Sequence, residues 1–361
     1  MITKSTSSAL GFLRFPLACL VVLEHYYTPD IYASTIGASS CYHEIAFFIN
    51  QTLSIVTVPL FLMIAGYLFF YDTDMNGFDS GRYFAKLKSR FKSLLIPYIA
   101  WNFIVLMFFF GAQTVTGNNS IIQKEGYKAI SNYNATDFIK AFSYMDSTSM
   151  PIDGPLWFVR DLIIITLLAP AIYFLICKLK IVFPILLLII ANTQLSEFIP
   201  FCMAMCYFSI GACMQLCYND EIERLNTEKS FKLSILIFLI LLLILNALQH
   251  SNYSSLTLFC DLLYRIFGSM CLVAVAYKIT SVGYRMPSLL TSASFFIFAA
   301  HKPILVLLRR LAFSTAFAQQ EAVLILYVFL LPAIAIIFSI ALFYIVKRWF
   351  PILNFLNGYR L

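Results

Sequence analysis

The chain has 361 residues, of which 61% are hydrophobic, 17% aromatic and only 12% charged, and its formal net charge is +7. Soluble domains carry about a quarter charged residues, and a globule of this size cannot hide so much apolar surface inside itself. The composition therefore excludes a soluble single domain and predicts a polytopic membrane protein.

Ten apolar stretches that are candidates to cross a membrane follow one another along the chain. They lie near residues 9–27, 44–71, 93–111, 155–177, 181–193, 198–217, 233–249, 256–277, 291–311 and 322–346. We therefore expect an all-α fold with about ten transmembrane helices, in one membrane domain that occupies residues 1–361.

The basic residues predict the orientation of this domain. If the N-terminus is cytoplasmic, sixteen Lys and Arg residues fall in inner segments, whereas the outer segments hold only Lys124, Lys128 and Lys140. Because cytoplasmic loops carry the excess of basic residues, we expect both termini to be cytoplasmic. The three outer lysines belong to a polar outer loop, 112–154. A basic amphipathic segment, 80–92, is expected to lie on the anionic inner membrane surface, or alternatively to serve only as a topology anchor.

The first stretch contains two ionisable residues, Arg14 and His25. Their spacing of eleven residues puts them within about 20° of one helix face and about 16 Å apart along the axis. Arginine can bind an anion such as phosphate in two parallel hydrogen bonds, and histidine can take a proton from a hydroxyl group near neutral pH. The pair therefore fits a reaction whose donor substrate enters from the cytoplasm and whose acceptor substrate lies outside. Alternatively, Arg14 reaches the inner headgroups and His25 belongs to the outer interface.

Five further polar or aromatic residues in spans are candidates for a substrate path, because polar groups at membrane depth are costly unless they are paired or hydrated. Trp157, Arg160 and Asp161 begin the fourth stretch, and Ser294 and His301 share nearly one face of the ninth. Structural alternatives exist for each group. Trp157 fits an interfacial belt, Arg160 and Asp161 can balance each other's charge, and His301 can be a hydrogen-bonded core residue.

Two other patterns favour structural roles. Asp261 and Arg265 have the i, i+4 spacing of an ion pair within one helix. Four cysteines of the sixth stretch share one face, but no His or carboxylate accompanies them, so we interpret them as helix-packing residues and expect no metal site. They are Cys202, Cys206, Cys213 and Cys217.

Along its whole length the sequence resembles the bacterial acyltransferase-3 family of membrane enzymes that modify exported glycans. The ten residues between Arg14 and His25 match the spacing of the family's signature. Five more segments follow in the family's usual order: VPLFLMIAGYLFF (58–70), LIPYIAWN (95–102), GPLWFVRDL (154–162), FSIGACM (208–214) and SFFIFAAHKP (294–303). Where many members have a Ser-Gly-aromatic motif, this chain has Ala65, Gly66 and Tyr67, so the hydroxyl group is missing.

The resemblance implies that acyl-CoA, with acetyl-CoA as the expected form, is the donor substrate and that no separate cofactor is needed. It implies transfer of an acetyl or other short acyl group to a hydroxyl of an extracytoplasmic polysaccharide or glycolipid. The catalytic motif would be His25 and Arg14, with His25 as a general base or a transient acyl carrier. Trp101 and Asn102 join the candidate substrate-binding residues.

The expected location is the bacterial cytoplasmic (inner) membrane. The expected partners are acyl-CoA, a glycan or lipid-linked sugar acceptor, membrane lipid and envelope-biosynthesis proteins, with no nucleic acid. The alternative function is a transporter or flippase of a glycan, a lipid intermediate or a small metabolite, because charges inside spans also line transport paths.

Overall fold

The computed structural model describes residues 3–26, 41–73, 75, 77–116, 128–145, 149–193, 200–218, 224–249, 254–314 and 320–359. Every regular element within these ranges is helical, which confirms the predicted all-α class. Two parts of the predicted outer loop, 117–127 and 146–148, lie outside the described residues, and Lys124 lies in the first of them.

The described residues form fourteen α-helices, which are numbered here in chain order. They are α1 Lys4–Glu24, α2 Cys41–Phe47, α3 Thr57–Phe69, α4 Ser80–Arg90, α5 Ile96–Thr116, α6 Ala135–Ala141, α7 Trp157–Leu167, α8 Ala169–Leu179, α9 Val182–Ala191, α10 Cys202–Cys217, α11 Glu228–Gln249, α12 Ser254–Ser281, α13 Ser288–Phe313 and α14 Glu321–Trp349. A π-helix (Phe48–Leu53) and a 3₁₀ turn (Ser54–Val56) join α2 to α3, and a second π-helix (Phe91–Leu95) joins α4 to α5. The 3₁₀ helix Pro351–Asn357 follows α14.

Ten full membrane spans are not confirmed. By length and composition, the described residues contain 7 helices that could cross a membrane, or up to 8 if the bent pair α7 and α8 counts as one. The remaining two predicted stretches are helical but short, since α9 has 10 residues and α10 has 16. At about 1.5 Å per residue both are shorter than the roughly 30 Å hydrocarbon core. The orientation of the termini stays a prediction.

The fourth predicted stretch is broken rather than straight. Its two halves, α7 and α8, meet at an angle of 71° around Leu168. Pro170 is the second residue of α8, and a proline has no amide hydrogen to donate to the preceding turn and disfavours a helical conformation at the residue before it. The proline explains why a continuous apolar run does not form one continuous helix.

Close backbone packing joins α3 to α10 in the core. A side chain built on Gly66 would overlap the carbonyl oxygen of Phe208, and one built on Gly211 would overlap that of Met63. Small residues permit this approach, which is the usual way that helices associate in lipid. On the other face of α10, the thiols of Cys202 and Cys206 contact carbonyl oxygens of α9.

The described end of the predicted outer loop runs back into the bundle beside the first two turns of α5. The Tyr98 hydroxyl donates to the carbonyl oxygen of Phe142 (2.7 Å), and the Asp153 amide donates to Oδ1 of Asn102 (3.1 Å). Irregular backbone inside a membrane domain needs such partners, because lipid supplies none. This part of the loop is therefore a packed element of the core.

The basic segment 80–92 forms α4 and the start of the following π-helix, which confirms its helical prediction. Asp79 caps α4 by accepting from the Arg82 amide (3.0 Å). No residue of α4 is buried, and Phe84 and Phe91 are exposed among its basic side chains. An apolar and basic exposed surface fits the expected contact with a membrane interface, which stays a prediction.

Candidate active site

A cavity of about 330 Å³ lies where α1, α3, α7 and α13 converge on the junction of α4 and α5. Arg14, Arg90, Thr291 and Ser294 supply the polar part of its lining, and the rest is mainly apolar. Pockets that hold small molecules are commonly apolar with a few placed polar groups. The cavity therefore has the composition of a ligand site.

The two arginines of the cavity are available to a ligand. Arg14 is exposed and Arg90 is half-buried, and neither guanidinium makes a hydrogen bond or an ion pair within the part of the chain that the structure describes. Two unpaired cations that line one apolar-walled space favour an anion, and arginine matches the geometry of phosphate and carboxylate oxygens. This end of the cavity is suited to a phosphorylated ligand.

A pair of histidines lies further along the same two helices. His25 follows the last residue of α1, and His301 lies on α13, with ring centroids 5.2 Å apart and an interplanar angle of 27°. His25 is half-buried, whereas His301 is fully buried. The separation of eleven positions between Arg14 and His25 corresponds to about 16 Å along α1. One face of α1 therefore has a cationic site at Arg14 and, further along, a second site where His25 meets the imidazole of His301.

The backbone fixes the hydrogen position on His301. Its Nδ1 lies 2.7 Å from the carbonyl oxygen of Phe298 and 3.2 Å from that of Ile297. Because a carbonyl oxygen only accepts, Nδ1 carries a hydrogen, and in the neutral ring Nε2 then presents a lone pair. That Nε2 has no hydrogen-bond partner among the described residues, so it can accept from a substrate or water.

Arg160 and Asp161 have a visible structural role. The guanidinium of Arg160 donates to Asp161 Oδ1 (2.8 Å) and to the carbonyl oxygens of Ser143 (2.8 Å) and Ser149 (3.0 Å). It also lies 3.6 Å from the centre of the Tyr144 ring. The structural alternative considered from the sequence, mutual charge balance, matches this geometry. A contribution of either residue to acceptor binding stays a prediction.

Of the four other candidate residues, one lines the cavity and three make contacts that support the fold. Ser294 lines the cavity, although its hydroxyl donates to Leu290 O (2.9 Å). Trp101 donates its indole hydrogen to Leu356 O of the C-terminal 3₁₀ helix (2.8 Å), and Asn102 holds Asp153. Trp157 is half-buried at the start of α7 and packs against the main core. Substrate contacts for Trp101, Asn102 and Trp157 stay predictions.

Of the cavity residues, sequence reasoning identified only Arg14 and Ser294, and those it missed include Arg90, Thr291 and Phe298. Arg90 was counted only as one of several basic residues that set the topology. In the sequence, Arg90 is distinguished by its position at the C-terminal end of the amphipathic helix, directly before the next span. Thr291 and Phe298 share the helix face of Ser294 and His301, since all four are spaced by three or four residues.

A protein-family model described as an acyltransferase domain matches residues 8–357, which is nearly the whole chain. The chain belongs to the acyltransferase-3 family. The resemblance stated from the sequence is thereby confirmed, and membership of this family supports acyltransferase activity in a multi-pass membrane protein.

The chain is also similar to the succinoglycan biosynthesis protein ExoH of Rhizobium meliloti (strain 1021). The two are 25% identical over 373 residues, an alignment that covers 99% of this chain and 93% of the relative. No solved structure matches the chain. The roles of individual residues in this family member therefore have to be argued from its own geometry.

Proposed function

We propose that this protein transfers an acetyl or other short acyl group from cytoplasmic acyl-CoA to a hydroxyl of an extracytoplasmic polysaccharide or glycolipid. The observation that carries the proposal is the arrangement along α1, where Arg14, one of two unpaired arginines of a cavity, lies about 16 Å along the helix axis from His25, one of a pair of histidines. The similarity to a succinoglycan biosynthesis protein supports a polysaccharide acceptor.

The cavity fits the chemistry of an acyl-CoA donor. Arg14 and Arg90 supply two cations for phosphate groups, and Leu17 and Ile64 supply apolar wall for the arm that carries the thioester. A charged and bulky nucleotide stays at the arginine end, where side chains can neutralise it. The acyl end is the part that advances toward His25.

The proposed reaction breaks the acyl carbon–sulfur bond of the donor and forms an acyl carbon–oxygen bond to the sugar. His25 accepts the hydroxyl proton as general base, and the proton finally resides on the sulfur of free CoA. No oxidant, reductant or other co-reactant is required. His301 stacks on His25 and positions its ring, while the free Nε2 of His301 provides a second acceptor in the same space.

The proposed setting is the bacterial cytoplasmic membrane, with the arginine end of the cavity toward the cytoplasm. The basic surface of α4 then contacts anionic lipid headgroups. The proposed partners are the acyl-CoA donor, a glycan or lipid-linked sugar and other envelope-biosynthesis proteins. Trp157, Arg160 and Asp161 would contribute indirectly, by holding the loop beside the acceptor end.

The decisive experiment measures free CoA after purified, reconstituted protein is mixed with acetyl-CoA, with and without an envelope glycan extract. Wild-type protein should release CoA, and glycan should stimulate the release. His25→Ala should lower the stimulated rate by about 10²- to 10⁴-fold, because it removes the general base. His43→Gln is the matched control, since it alters another buried histidine of the same chain outside the cavity.

Substantial glycan-stimulated release by His25→Ala would contradict the role of His25. Absence of release by wild-type protein with several acyl-CoA donors would contradict the acyltransferase assignment and favour transport. Equal losses in His25→Ala and His43→Gln would indicate a general structural defect.

A further inference from the structure

Three phenylalanine rings from three different helices lie together in the lining of the cavity. Phe61 belongs to α3, Phe158 to α7 and Phe298 to α13. The rings of Phe158 and Phe298 meet edge to face with centroids 4.7 Å apart, and those of Phe61 and Phe158 stack at 5.9 Å. These geometries are typical of favourable aromatic pairs. The three rings, called here the aromatic layer, form one continuous apolar surface.

The aromatic layer is next to the histidine pair through one of its rings, Phe298. Phe298 lines the cavity, and its ring centroid is also 6.1 Å from that of His301, one turn further along α13. The carbonyl oxygen of Phe298 accepts from His301 Nδ1 at 2.7 Å. His301 in turn stacks on His25. Phe298 therefore borders both the cavity and the histidine pair, and a group that moves along α13 from one to the other passes its ring.

We propose that the aromatic layer sets the length of the acyl group that the enzyme transfers, an inference that rests on the proposed function. Phe158 and Phe298 are largely buried, and their ring centroids are 4.7 Å apart, so the two rings are in direct contact. A short acyl group requires a small displacement of the rings, and each added methylene requires a larger one. An apolar site discriminates one methylene by about 10- to 200-fold at best.

The position of the layer also explains how the acyl group can advance without the rest of the donor. Its three side chains are hydrocarbon, so they offer no hydrogen bond to a phosphate, whereas Arg14 and Arg90 do. Charged parts of the donor are stabilised on the arginine side and excluded from the histidine side. The layer is thus a filter for both polarity and length.

The test compares CoA release from acetyl-, butanoyl- and hexanoyl-CoA by wild-type protein and by two variants, Phe298→Leu and Phe158→Leu. Each variant replaces a ring with a smaller apolar side chain. We expect the hexanoyl-to-acetyl ratio of kcat/KM to rise about tenfold or more in both. Leu68→Ala is the matched control, because it enlarges the lining of the same cavity on α3 two turns away from Phe61, and its ratio should match that of wild type.

An unchanged ratio in both leucine variants, with CoA release retained, would overturn the inference, and so would an equal rise in Leu68→Ala. If either variant does not give a folded protein, Phe61→Leu replaces it, since Phe61 is only half-buried. The proposed function fails separately, namely when wild-type protein releases no CoA from any of the three donors.

Discussion

Two arginines in apolar helices of this protein, Arg14 and Arg160, have opposite surroundings. Arg160 is buried and uses its donors on Asp161 and on two loop carbonyl oxygens. Arg14 is exposed in a cavity and has no hydrogen-bond partner within the described residues. A buried charge with every donor satisfied supports the fold, whereas an unpaired charge in a cavity is available to a ligand. The comparison supports a structural role for Arg160 and agrees with the proposed role of Arg14 in substrate binding.

The largest expected effect is on stability. Arg160→Ala leaves the Asp161 carboxylate buried without its cation, and breaking a buried pair in this way costs about 3–5 kcal/mol of unfolding free energy. Arg14→Ala removes an exposed and unpaired side chain, so its cost should stay within about 0.5 kcal/mol. Unfolding by SDS in mixed micelles, followed by circular dichroism, measures both. If both variants lost similar amounts of unfolding free energy, the proposed difference between Arg160 and Arg14 would be contradicted.

The next effect is on donor binding. Arg14→Lys keeps the charge but loses the planar guanidinium, so kcat/KM for acetyl-CoA should fall about 10- to 100-fold if bidentate contacts hold the donor. Arg90→Gln should have a smaller effect, about fivefold and mainly on KM, because Arg90 ends a helix that has no buried residue. Rates of CoA release over a range of acetyl-CoA concentrations give kcat and KM for each variant and so separate these two effects. Wild-type kinetics in Arg14→Lys would contradict donor recognition by this residue.

The smallest effect concerns the ring that covers Arg160. Tyr144→Leu removes a cation–π contact whose distance is 3.6 Å, and such contacts contribute about 1 kcal/mol. The unfolding free energy should fall by about that amount, while KM for acetyl-CoA should not change. A shift in KM without a loss of stability would place the loop in donor binding and weaken the contrast with Arg14.

Much of the fold could be predicted from the sequence, because apolar runs and basic loops report directly on helices in lipid. All ten predicted stretches are helical, and the i, i+4 pair of Asp261 and Arg265 is confirmed at 2.7 Å. The fifth stretch, 181–193, is already short in the sequence, but the short length of α10 was not predicted, since an apolar run does not reveal where a helix stops within the bundle. Pro170 is a sequence signal for the bend at Leu168, but the apolar run around it predicts one continuous span.

The site was predictable only in part. The one-face placement of Arg14 and His25 follows from helix periodicity alone. The contact between His25 and His301 joins residues 276 positions apart, and no local pattern encodes such a pairing. The same holds for Arg160, whose partners Ser143 and Ser149 belong to an irregular loop.

The most direct test of the central proposal separates donor and acceptor by a membrane. Proteoliposomes would enclose CoA that carries a radiolabelled acetyl group, and the glycan extract would be added outside. The account predicts that label appears on the outer glycan while CoA stays inside, and that His25→Ala abolishes this transfer. Label that reaches the glycan only when donor and glycan share one compartment, or glycan that crosses the membrane without being labelled, would contradict it.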